Sequence, residues 1–283
     1  MKSLLGICCL LVFSFPLVAL AHPHILSMSS GEEISFSTLL DDLQDVRVVF
    51  VGELHDNVGH HRMQQAVISG LQSRQKSVAV GLEMFQQESQ PKLDRWVAGK
   101  TRERTFRKIF EDNWSYWPVY RPIFLDARRL ATPMVGLNIP RELVQKGAKA
   151  GVAALLEGEL GPLKGISCVV DPAYEAVLRR AMGGHSGEGR SFYFFCEAQL
   201  LWDTAMAKKI VDYLRDNPQA VMVVLAGNTH AWKHGIPTQV VRQANLSYRV
   251  VLPEVQGRLD RNSIRPEDAD YLWLDFGVDG WQP

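Results

Sequence analysis

Net charge is what this chain lacks: 31 basic residues balance 31 acidic ones. The surplus of lysine and arginine that a nucleic-acid binder gathers on one face is therefore missing. Cysteine is scarce, 4 in 283 residues, too few for a fold stapled by several disulfides. Two of them, Cys8 and Cys9, fall in the first apolar segment. After that segment no apolar run approaches the roughly 20 residues of a membrane-spanning helix. No internal repeat of solenoid length and no low-complexity tract occurs, so neither a repeat array nor a disordered linker is indicated. What remains is a chain 46% hydrophobic, enough to build the core of one large domain or two small ones.

At the start of the chain a lone basic residue, Lys2, precedes an apolar stretch from Leu4 to Leu20 that ends on Ala19-Leu20-Ala21. A small-x-small ending of this kind is a cleavage pattern, so residues 1–21 read as a secretory signal peptide. The mature chain, residues 22–283, is then expected in the periplasm or outside the cell. A lipid anchor is not expected, because Ile7 stands before Cys8 where a lipoprotein signal needs a small residue. In an oxidising compartment Cys168 and Cys196 either pair or stay apart as thiols, and the sequence leaves both open.

Through most of the mature chain, short apolar runs alternate with helix-like stretches, the pattern of an α/β protein with a large parallel β-sheet flanked by helices. Strands are predicted over Val46 to Val51, Val78 to Leu82, Pro133 to Leu137, Val221 to Ala226, Tyr248 to Leu252 and Tyr271 to Phe276. Between the first two, Met63, Ala66, Val67, Gly70 and Leu71 share one helical face, which predicts a crossover helix over Gly59 to Arg74. Residues 90–130 and 141–190 are polar and helix-like, and are expected to form a smaller helical insertion or subdomain. Within them the glycine-rich Gly183 to Gly189 predicts a loop. A long helix is expected from Phe192 to Asp212, with Ala198, Leu201, Trp202, Ala205 and Ile210 toward the sheet.

Two strand ends carry the same tetrapeptide, G-x-x-H: Gly52-Glu53-Leu54-His55 and Gly227-Asn228-Thr229-His230. A third strand ends on Glu83. In a parallel sheet these ends lie side by side, at the edge where open α/β sheets bind ligands. Glu53, His55, Glu83 and His230 are therefore candidate ligands of a divalent metal ion, with Glu53 or Glu83 as the base acting on metal-bound water. The competing reading makes each glycine a source of backbone freedom in a tight turn and each histidine a cap for the next helix. His60 and His61 either face the same crevice or, the preferred reading, lie on a solvated surface; His234 is expected at the rim, and Asn138 either in the crevice or as an N-cap.

Tyrosine offers a different chemistry, because a phenolate oxygen is a hard ligand suited to ferric haem iron. Tyr174 stands eleven residues before His185, about three helical turns. Tyr116 and Tyr120 lie in an aromatic stretch that could floor a porphyrin or staple a helical unit to its neighbour.

Five blocks, Phe50-Val51-Gly52-Glu53-Leu54-His55-Asp56, Gly81-Leu82-Glu83-Met84-Phe85, Gly136-Leu137-Asn138, the stretch Ala198 to Ala207, and Ala226-Gly227-Asn228-Thr229-His230, occur in an order that resembles the ChaN-like haem-binding proteins. That family stands with the Tiki-type metalloproteases in a group sharing paired G-x-x-H motifs. The resemblance covers the chain from about Ser35 to Leu252. It implies a haem-uptake accessory whose dimer encloses two stacked haems, each iron held by a tyrosine of one subunit, with a histidine and a lysine of the other on the propionates. Carried over, it implies Tyr174 as axial ligand and His185 as propionate partner; Tyr120, from the aromatic stretch, is the second candidate tyrosine. The propionate lysine stays open among Lys146, Lys149 and Lys164, with Lys164 carried as the candidate. The partners implied are ferric haem, a second copy of the chain when haem binds, and an outer-membrane haem receptor. The alternative is a hydrolase in which the G-x-x-H and glutamate cluster uses a divalent metal ion.

Overall fold

The computed structural model describes residues 24–155, 158, 163, 169–170, 172–181 and 190–274. Its first elements are β1 (His24–Ser27), β2 (Glu33–Ile34), α1 (Phe36–Leu43), β3 (Val48–Glu53), α2 (Val58–Ser73) and β4 (Ser77–Gln86). Then follow α3 (Gln90–Val97), α4 (Glu103–Asn113), α5 (Trp117–Arg129), β5 (Met134–Asn138), α6 (Arg141–Ala150), α7 (Pro172–Ala181) and α8 (Arg190–Asp216). The chain closes with β6 (Ala220–Gly227), α9 (Asn228–Ala231), α10 (Ile236–Gln243), β7 (Tyr248–Pro253) and β8 (Tyr271–Leu274).

Eight strands form one sheet in the order β2-β1-β8-β7-β3-β6-β4-β5. From β8 to β5 every neighbouring pair is parallel, while β1 runs antiparallel to β8 and to β2. The six predicted strands are all present. The two that the sequence did not reveal, β1 and β2, are too short to carry an alternating pattern.

Because the sheet is covered on both faces, its central strands are apolar at consecutive positions. Val49, Val51, Val223 and Leu225 enter one core with α1 to α5, and Val48, Phe50, Met222 and Val224 enter the other with α7, α8 and α10. The crossover helix α2 buries Met63, Ala66, Val67 and Leu71 as expected. Its Asn57 cap accepts the His60 N–H at 3.2 Å, satisfying an otherwise orphaned donor.

The insertion over 90–130 is three helices whose rings run into the sheet core without a break. Phe106 packs on Trp96 at 4.2 Å and contacts Phe85, Trp117 and Phe124. The aromatic stretch is thus a staple: Trp117 and Tyr120 are buried in it, Trp114 is half-buried, and of its rings Tyr116 is the exposed one. In the second insertion, α6 packs on α8 through Val144, Ala198, Leu201 and Ala205. Among the described residues no helix is long and apolar enough to cross a membrane. The predicted signal peptide, the Gly183 to Gly189 loop, Lys164, Cys168 and His185 lie outside the described residues. Cys196 is disulfide-bonded.

Candidate functional site

The strand order decides which side chains meet. β6 lies between β3 and β4, in a register that pairs Glu53 with Gly227 and Leu82 with Leu225. The carboxyl ends of three adjacent strands therefore deliver Glu53, Gly227 and Glu83 to one edge. β4 slips register against β5 between Leu82 and Gln86, an irregularity of the kind that re-aims a side chain beside a site. The Asn138 amide fixes the result by donating to the Glu83 carbonyl at 2.8 Å. Asn138 thus belongs to the crevice, and its own carbonyl oxygen accepts from Trp202 Nε1 and from the Ile139 N–H.

Both motif glycines are there for room. Neither Gly52 nor Gly227 has a positive φ, so the turn itself places no demand for glycine. A Cβ on Gly52 would lie 2.3 Å from Asn228 Oδ1, and one on Gly227 would lie 3.1 Å from His55 Cε1. Each corner's glycine makes space for a side chain of the other corner. This is why the tetrapeptide comes in pairs on neighbouring strands, and it replaces the reading of the glycines as flexible turn residues.

Two similar triads result. In the first, Glu53 Oε1 accepts from the Tyr120 hydroxyl and faces His55 Nδ1 at 2.6 Å. Its other oxygen accepts from Gln64 Nε2 at 2.7 Å. In the second, Asp203 accepts the Tyr174 hydroxyl at 2.7 Å through Oδ2 and faces His230 Nδ1 at 2.6 Å through Oδ1. Glu83 sits between them, with Oε2 accepting the Gly227 N–H at 2.6 Å and Oε1 facing His230 Nε2 at 3.8 Å.

Charge follows from these contacts. Burial works to raise the Glu53 carboxyl, but its hydrogen bond with His55, its attraction to His61 and His55, and the Tyr120 hydroxyl together hold it below its ordinary value. Burial also works to neutralise both motif histidines, and their carboxylates prevail. His55 is raised by Glu53 and Glu83, and His230 is raised to about 9 by Asp203 and Glu83. For Tyr120, burial and the adjacent Glu53 push the phenol far above its usual value, so it is a proton donor to Glu53.

His60 and His61 are 1% and 2% exposed, which corrects the expectation of a solvated surface. The first turn of α2 tucks under the first corner, where it meets backbone groups that nothing else satisfies. His60 Nδ1 accepts the Leu54 N–H at 2.8 Å, and His61 Nε2 meets the His55 carbonyl at 3.1 Å. Burial and neighbouring His61 lower His60 to about 4, which keeps that acceptor nitrogen free of a proton.

The four side chains proposed as metal ligands do converge, but on one another. Among the described residues no group of three or more histidine, cysteine or acidic side chains is placed to hold a metal ion. Each Nδ1 is engaged with its own carboxylate. Tyr174 is buried on α7 with its ring edge-on to Trp232, Tyr120 is buried under the first corner, and Lys146 and Lys149 lie on α6. His234 sits at the edge against Asp268. Two residues escaped the sequence reading, Gln64 and Asp203. Asp203 carried a usable signal, a lone carboxylate on the face of α8 that holds Leu200 and Ala207, since an acid on an apolar stripe must have a partner.

Fold and site together define an α/β protein whose parallel sheet ends in paired histidine–carboxylate corners. The chain belongs to the family described as haem-binding uptake, Tiki superfamily, ChaN, whose family model matches residues 39–240. Its fold is similar to ChaN of Campylobacter jejuni, whose structure is described as cofacial heme binding, with 22% identity, a TM-score of 0.70, and coverage of 89% of this chain and 96% of that one. Weaker likenesses include a mutant of the erythromycin esterase EreC, at TM-score 0.49 and 16% identity over 76% of this chain and 72% of that one. The type III effector HopBA1 scores 0.49 at 10% identity over 84% and 91% of the two chains. No curated protein matches.

Proposed function

We propose that this chain is an exported haem-binding protein that takes part in haem uptake, carries ferric haem on a tyrosine, and pairs with a second copy when haem binds. The observation that carries the reading is the family match across residues 39–240. Export rests on the leader-like residues 1–21, which favours the periplasm and an outer-membrane haem receptor as the onward partner.

Tyr174 is the tyrosine we assign to the iron. Its hydroxyl already donates to Asp203 at 2.7 Å, so a carboxylate stands ready to take the phenol proton as the oxygen turns to a cation. Trp232 packs edge-on to it, and Leu178 and Phe192 belong to the same apolar core, an apolar setting suited to a porphyrin face. Tyr174 is 3% exposed, so ligation requires α7 to turn its tyrosine away from Asp203. Tyr120 suits the role less, being held neutral by its bond to Glu53.

The test is a titration of the mature protein with ferric haemin, following the Soret and charge-transfer bands together with sedimentation. Saturable high-spin binding that doubles the mass, and that is lost in Tyr174→Phe, is expected. Binding that survives Tyr174→Phe would move the ligand to another tyrosine, and absence of saturable binding would refute the function itself.

A further inference from the structure

The even charge of the whole chain hides an uneven distribution. Residues 90–130 hold 10 basic and 5 acidic side chains, so the rest of the chain keeps 21 of the 31 basic and 26 of the 31 acidic ones. The three-helix insertion is thus a cationic unit on an acidic body.

Most of its acids are paired within the unit. Glu103 holds Arg121 at 2.5 Å, Glu111 holds Arg107 at 2.7 Å, and Asp126 holds Arg129 at 2.9 Å. Lys92, Arg95, Lys100, Arg102, Arg104 and Lys108 are all exposed, and among the described residues none of their side chains has an ion pair or hydrogen bond. These cations stand on a fixed frame. Gly99, at φ 71°, turns the chain after α3, and the Lys100 N–H closes the turn on the Arg95 carbonyl at 2.8 Å. Arg128 donates to the Thr101 and Gly99 carbonyls at 2.9 and 3.2 Å and lies over the Trp96 ring at 4.7 Å. The basic turn is thereby tied to the end of α5, where Leu130 is 47% exposed. On α4 the buried Phe106 and Phe110 mark the inner face, so Arg104 and Lys108, one turn apart, project from the opposite side.

We propose that the insertion of α3, α4 and α5 is a docking face for an anionic phospholipid surface, held there by electrostatic contact. Charge complementarity selects the partner. Cations spread over two helices and a turn suit headgroup phosphates, which are free to gather beneath each one, and the exposed leucine beside them suits the apolar border of a bilayer. An exported chain, the reading drawn from residues 1–21, meets phospholipid at the boundary of its compartment and no nucleic acid. The acidic remainder is repelled by the same surface, so the field also sets an orientation, with the insertion toward the membrane and the acidic body away from it.

The experiment sediments haem-free mature protein with vesicles of equal parts phosphatidylglycerol and phosphatidylcholine, and with phosphatidylcholine alone. Binding to the anionic vesicles only is expected at low salt, with loss in molar salt, where charges are screened beyond about 3 Å. The variant Lys100→Gln/Arg102→Gln/Arg104→Gln should bind ~100-fold more weakly, since each cation near an anionic surface contributes about fivefold. Arg141→Gln/Arg242→Gln/Arg258→Gln removes the same charge from exposed positions outside the insertion and should bind within a few-fold of the parent protein. Circular dichroism checks folding, and if the first variant does not fold, Lys92→Gln/Lys108→Gln takes its place with an expected loss of ~25-fold. Equal binding to both kinds of vesicle, equal losses in the two triple variants, or no binding at low salt would overturn the proposal. Tighter binding to a duplex DNA fragment than to the anionic vesicles would overturn its choice of partner.

Discussion

Replacing Asp203 by asparagine should expose how much of this fold depends on one buried carboxylate. Asp203 is fully buried, accepts the Tyr174 hydroxyl at 2.7 Å, and faces His230 at 2.6 Å. His230 titrates at about 9 in place of 6.5, a difference of about 3 kcal/mol between its charged and neutral forms. The sign is fixed by the direction of the shift. A raised histidine contributes its full stability below 6.5 and loses it as pH rises through about 9. In Asp203→Asn the imidazolium loses the nearer of its two carboxylates and keeps Glu83 at 3.8 Å, which costs up to roughly 3 kcal/mol while His230 is protonated. Once His230 is neutral the penalty shrinks to that of weakened hydrogen bonds, roughly 1–2 kcal/mol. Urea unfolding of both proteins at about pH 6 and about pH 9.5 measures the two penalties. A penalty equal at both pH values would refute the ion-pair reasoning.

Two further outcomes follow from the first corner. His60, lowered to about 4, contributes stability above 6.5 that is lost as pH falls toward 4, by about 3 kcal/mol; its resonances in an NMR titration should move only near the lower value, and the His60→Phe variant should lack this acid-side loss. Gly52→Ala should destabilise the chain by roughly 1–3 kcal/mol, since the new methyl would meet Asn228 Oδ1 at 2.3 Å and Leu252 Cδ2 at 2.7 Å. Removing the first clash with Asn228→Ala should recover part of that loss in thermal unfolding.

The sheet was legible because its six parallel strands are unbroken apolar runs, and such runs need no partner to be recognised. β1 and β2 were not, because a four-residue and a two-residue strand draw their order from pairing with β8 and with each other. At the site, the positions of Glu53, His55, Glu83 and His230 could be read from strand ends alone. Their pairing could not, since it depends on β6 entering between β3 and β4. Helical periodicity located the apolar face of α2 but said nothing of His60 and His61, whose burial comes from contact with the backbone of the preceding corner. Asp203 broke the apolar pattern of α8 in plain view, but its partners lie 27 and 29 residues away.

The place of β6 also governs how the chain must assemble. β3 and β4 are joined by a short crossover and lie close in sequence, yet neither pairs with the other, and the strand that joins them begins at residue 220. A nascent or truncated chain ending before that strand holds two apolar edges with a vacant slot between them, open to pairing with other chains. Closure of the sheet waits on a contact that spans most of the sequence, a topology that slows folding and prolongs the exposure of those edges.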